Sequence, residues 1–64
     1  MADLYRDLAE ILRANGFTLV RAGKGSHEIW YSSASNRQVT VPRTTKSRHT
    51  ANEVLKQAGL EKAF

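Results

Sequence analysis

Apolar residues at the start of the chain recur at helical spacing. Leu4, Leu8, Ile11 and Leu12 fall at i, i+4, i+7 and i+8, with Tyr5 at the edge of the stripe. This predicts an amphipathic helix capped by Asp3 and running to about Asn15, where Asn15-Gly16 supplies the stop. The period then shortens. Phe17 to Arg21 is β-prone, with Thr18 and Val20 alternating against Phe17 and Leu19, and His27 to Tyr31 is a second strand. In Gln38 to Val41 the polar pair Gln38 and Thr40 alternates with Val39 and Val41, until Pro42 ends the ladder. Residues 22–26 read as a loop and residues 32–36 as a turn of small polar side chains. Thr50-Ala51-Asn52-Glu53 has the capping-box form. It predicts a second helix to about Ala58 that buries Ala51, Val54, Leu55 and Ala58, with Gly59 closing it and Leu60 folding back.

The order is helix, three strands, helix. Three short strands need a packed face to be stable, and two amphipathic helices need a common surface. The expected fold is therefore α+β, a three-stranded antiparallel sheet with both helices on one face. The other face, bearing Gln38, Thr40 and some of the aromatic residues, is left for a ligand or partner. Strand alternation sets a condition on the second strand: if Ile29 faces the core, a regular strand turns His27 inward and Trp30 outward.

With 64 residues, the chain is expected to form one domain over residues 1–64. A domain of this size buries only about 60% of its unfolded surface, so its stability is a few kcal/mol. No cysteine is present, which excludes disulfides and thiolate metal sites, and His27 and His49 do not make a zinc motif. Neither metal nor cofactor is expected. No apolar run nears the ~20 residues needed to span a bilayer. The start of the chain lacks the layout of a signal peptide, so a soluble, cytoplasmic protein is expected.

The net charge of +4 is concentrated in the middle of the chain. Residues 21–48 hold Arg21, Lys24, Arg37, Arg43, Lys46 and Arg48 against Glu28 alone, whereas the flanking segments are nearly balanced. Such a surface favours a polyanion.

Within that segment lies Gly23-Lys24-Gly25-Ser26-His27-Glu28-Ile29-Trp30. Its glycines let the backbone turn sharply and approach a ligand. Lys24 is a mobile cation suited to phosphate, and against that stands a solvated loop charge. His27 can exchange a proton near neutral pH. Glu28, its neighbour on a strand, points to the opposite face and is not expected to pair with it.

Gly25-Ser26-His27-Glu28-Ile29-Trp30, followed by Val39-Thr40-Val41-Pro42 and by Leu55-Lys56-Gln57-Ala58-Gly59-Leu60, resembles the HicA toxin family. The Asn15-Gly16-Phe17 helix exit fits as well, and the element order is that of the double-stranded RNA-binding fold. The resemblance implies an endoribonuclease toxin of a toxin–antitoxin pair that cleaves messenger RNA. It also implies a HicB-type antitoxin covering the site, and His27 as the catalytic residue. A common family variant carries histidine after the valine-proline pair, where this chain has Arg43.

RNA supplies its own nucleophile, so a histidine acting as general acid or base contributes about 10²–10⁴-fold. Lys24, Arg43 and the amides of Gly25 and Ser26 can stabilise charge on the phosphate. Arg43 and Lys46 are further expected RNA contacts, and His49 is a remote second histidine. Trp30 keeps two readings, a base- or partner-facing ring and a core residue. The competing functional reading is a non-catalytic RNA-binding module of the same fold. A third is an interaction protein whose basic surface docks an acidic partner.

Overall fold

The computed structural model describes residues 4–64. The elements are α1 (Leu4–Ala14), β1 (Phe17–Ala22), β2 (His27–Ser32), β3 (Arg37–Pro42) and α2 (Arg48–Gln57). The strands pair antiparallel in the order β1-β2-β3, the α+β arrangement that the apolar pattern predicts. Leu8, Ala9 and Leu12 of α1 join Ala51, Val54 and Leu55 of α2 in one buried cluster with Phe17, Trp30, Val39 and Val41 of the sheet. Both helices therefore cover one face, and Gln38 and Thr40 on the other are exposed. The expected cap at Asp3 lies outside the described residues.

The register of β2 against β3 decides which side of β2 is inside. Val39 and Val41 are buried, and the pairs Trp30↔Val39 and Glu28↔Val41 carry Trp30 and Glu28 inward with them. The inner row of β2 is therefore Glu28, Trp30 and Ser32, all buried, and the outer row is His27, Ile29 and Tyr31. This corrects the conditional expectation for this strand: Ile29 faces outward, and Trp30 is a fully buried core residue. A tryptophan buries roughly 150–250 Å², and in so small a sheet no other side chain fills the same space.

The alternation expected in β1 also changes. Its register against β2 slips between Leu19 and Arg21, leaving Val20 as the extra residue of a β-bulge. Phe17 is buried, whereas Leu19 and Val20 are about half exposed at this outer strand.

The second helix begins earlier than the capping box suggests. Ser47 is its N-cap, and its Oγ accepts from the amides of His49 at 3.1 Å and Thr50 at 3.5 Å. Thr50 thus lies in the first turn, because Ser47 already satisfies the free amides there. The predicted end holds. Gly59, at φ 78°, donates to the Lys56 carbonyl, and the Leu60 amide returns to the Leu55 carbonyl at 2.8 Å. This pair of hydrogen bonds needs the left-handed residue that glycine supplies, and Leu60 packs back on the core as expected. The Asn52 side chain then holds the following segment by accepting from the amides of Ala63 and Phe64 and donating to the Phe64 carbonyl.

Candidate active site

The connection from β1 to β2 is built to hold His27 at the first position of a strand. The His27 amide donates to the Lys24 carbonyl at 3.2 Å, and the Gly23 amide donates to the His27 carbonyl at 2.7 Å. Between them Gly25 has φ 63°, and Ser26 keeps a negative φ. A left-handed residue at the first central position followed by an ordinary one is the tight-hairpin pattern that glycine favours. The Arg43 amide donates to the Ser26 carbonyl at 2.7 Å, tying the hairpin to the chain leaving β3.

His27 opposes Pro42 and lies on the outer row of β2, where no helix covers it, and it is exposed. Its Nδ1 stands 3.3 Å from the Lys24 carbonyl oxygen. A carbonyl oxygen only accepts, so the contact is a hydrogen bond when Nδ1 carries the proton. Nε2 is then the basic nitrogen, open to solvent. The hairpin thus sets the position of the ring, and the Lys24 carbonyl favours the tautomer with the proton on Nδ1 and the lone pair on Nε2. Such a nitrogen can take a proton from a bound hydroxyl.

Glu28, one residue on, faces the helices and is buried. It accepts a hydrogen bond from the Tyr5 hydroxyl of α1 and one from Trp30 Nε1 at 3.2 Å. Arg43 Nε lies 3.8 Å from its other carboxylate oxygen. The Tyr5 hydroxyl is pushed above its ordinary value of 10.0, first by burial and then by its hydrogen bond to Glu28 and the charge of that carboxylate. Glu28 is thus the point at which α1, β2 and the segment after β3 are fastened together. His27 and Glu28 do not pair, as strand alternation requires.

The other expected site residues separate into two groups. Lys24, Gly25 and Ser26 form the hairpin beside His27, with Lys24 exposed and its carbonyl engaged. Arg43 is brought close through its backbone, but its side chain is directed to the inner carboxylate of Glu28. Lys46 is exposed just before the cap of α2. His49 lines a separate groove of about 390 Å³ with Asn52, Glu53, Lys56, Leu60 and Lys62, none of them in the hairpin. It offers no partner for His27. Sequence reasoning missed the role of Glu28 as an anchor. The available signal was a lone carboxylate at the same parity as Trp30.

Among the described residues, no helix is long and apolar enough to cross a membrane. A family model described as the HicA toxin of bacterial toxin–antitoxin systems matches residues 5–60, from the first turn of α1 to the residue that folds back after α2. Neither curated proteins nor solved structures give a significant match.

Proposed function

This chain belongs to the HicA toxin family of bacterial toxin–antitoxin systems, and from that premise we propose that it is a metal-independent endoribonuclease that cleaves messenger RNA with His27 as its catalytic residue. The observation that carries this reading is the His27 ring. It is exposed on the uncovered face of the sheet, and its Nδ1 is turned to the Lys24 carbonyl. Nε2 removes the proton from a ribose 2′-hydroxyl, whose oxygen attacks the adjacent phosphorus. The bond from phosphorus to the 5′-oxygen breaks, and that oxygen leaves with a proton from the imidazolium. The products are a 2′,3′-cyclic phosphate and a 5′-hydroxyl, and His27 returns to its starting state. Negative charge gathers on the phosphate oxygens in the transition state. Lys24 Nζ and the amides of Gly25 and Ser26, in the hairpin that leads into His27, are the groups assigned to stabilise that charge. Lys46, exposed just before the cap of α2, extends the basic surface along which the RNA backbone runs.

Membership of a toxin–antitoxin family implies an antitoxin partner. We assign it the HicB type, acting by covering the His27 face. The test is growth on induced expression of the parent chain and of His27→Ala, each with and without the gene adjoining this one. Arrest by the parent, relieved by His27→Ala and by the neighbouring gene product, is the expected result. Equal arrest by both chains overturns the assignment of His27. RNA that is bound but never cut by the purified, partner-free chain favours a non-catalytic binding module.

A further inference from the structure

The bulge in β1 decides which face Arg21 occupies. In a regular β1, Val20 would oppose Ile29 and Arg21 would oppose Glu28, on the side covered by the helices. The extra residue at Val20 shifts the register so that Arg21 opposes Ile29 instead. Cross-strand partners share a face, so Arg21 stands on the outer face with His27, Ile29 and Tyr31. Bulges beside functional sites commonly re-aim a side chain in this way. His27 is two residues from Ile29 along β2, which makes Arg21 and His27 diagonal neighbours, about 7–8 Å apart at the backbone. An arginine side chain spans that gap. Arg21 is exposed, and among the described residues it has no ion-pair partner. Arg43 differs, because its Nε lies 3.8 Å from the buried carboxylate of Glu28.

We propose that Arg21 is the principal phosphate-binding side chain of the His27 site, delivered to that face by the β1 bulge, and that Arg43 serves chiefly to anchor Glu28. The proposal rests on the RNA-cleaving reading above and adds to it a residue that the family motifs do not point to. A guanidinium presents a planar fork that matches two phosphate oxygens, and it remains charged at any working pH. Placed diagonally from the imidazole, it holds the scissile phosphate while Nε2 faces the 2′-hydroxyl. The outer face between them, left uncovered by the helices, is open to a single strand lying across β2.

The test uses the full chain and a single-stranded oligoribonucleotide. Binding is measured in a His27→Ala background so that the RNA stays intact, and cleavage is measured with His27 present. Arg21→Gln is expected to weaken binding about tenfold or more, as loss of a charge-assisted contact does. It should also make the dependence of log affinity on log salt shallower by about 0.7, one phosphate's share on single strands. Arg21→Lys should keep the salt slope and recover only part of the cleavage rate, because an ammonium lacks the fork. Arg6→Gln, the same charge loss on α1, should leave the slope unchanged. All three variants should melt with the parent, since both positions are exposed. If Arg21→Gln and Arg6→Gln bind and cut alike, the assignment of Arg21 is overturned and the RNA-cleaving reading stands. If the parent neither binds nor cuts RNA, that reading fails first and takes this one with it.

Discussion

The two sides of strand β2 meet opposite environments. Glu28, Trp30 and Ser32 are buried under the helices with their polar atoms engaged. His27, Ile29 and Tyr31 alternate with them and look out from the uncovered side. The inner row is tied to α1 through Tyr5 and to the segment after β3 through Arg43. Among the described residues, side-chain contacts hold the outer row at His27, beside the Lys24 carbonyl, and at Tyr31, whose hydroxyl donates to Asn36. One strand therefore contributes to the core from one face and, on the proposed function, to the chemistry from the other. Neighbours on a strand meet opposite environments, and exposed His27 next to buried Glu28 is such a case.

Substitution on either row tests that division. The largest effect is expected from Trp30→Ala. Truncating a fully buried tryptophan costs about 3–5 kcal/mol, comparable to the whole stability of a domain this small. The chain should lose its cooperative thermal transition by circular dichroism; a sharp transition near that of the parent would contradict the inner-row reading.

On the outer row, His27→Ala is expected to lower RNA cleavage by about 10²–10⁴-fold with the melting temperature unchanged, because the ring is exposed. A matching fall in stability would mean that His27 supports the fold. Glu28→Gln keeps an acceptor for Tyr5 and Trp30 but removes the charge facing Arg43. It should cost roughly 1–2 kcal/mol in denaturant unfolding, on the scale of a charged hydrogen bond. Arg43→Gln in addition should cost little more, since the partner charge is already gone.

The smallest expected effect concerns pH. The Tyr5 hydroxyl is raised above 10.0 in the folded protein, so the folded state keeps a proton that the unfolded chain releases first. Its stabilising contribution is complete below about pH 10 and declines as pH climbs through the raised value. Unfolding at pH 8 and at pH 11 should show a loss for the parent that is reduced in Tyr5→Phe. An equal loss in both would remove Tyr5 from the inner network.

Much of this was legible in the sequence. The periodicity of Leu4, Leu8, Ile11 and Leu12 and the alternation of Gln38 to Val41 gave the elements, and Gly59 gave the end of α2. Gly25-Ser26-His27 marked the hairpin. What escaped depended on pairing. Whether Ile29 or Trp30 faces inward follows from the register with Val39 and Val41, and the apolar run Ile29-Trp30-Tyr31 reads equally well either way. The β1 bulge leaves no trace in Phe17-Thr18-Leu19-Val20-Arg21, so Arg21 read only as part of a charge excess. The capping box at Thr50 is complete and points to a start there, although Ser47 stands three residues earlier and caps the helix through the amides of His49 and Thr50.

The most direct test of the central claim is the chemistry of the ends left when the purified, partner-free chain meets single-stranded RNA. Cleavage by the 2′-hydroxyl with Nε2 of His27 as base predicts 2′,3′-cyclic phosphate and 5′-hydroxyl ends. It also predicts no cut at 2′-O-methyl positions and a rate at least about 100-fold lower for His27→Ala. Products bearing 5′-phosphates, or undiminished cutting by His27→Ala, would contradict it.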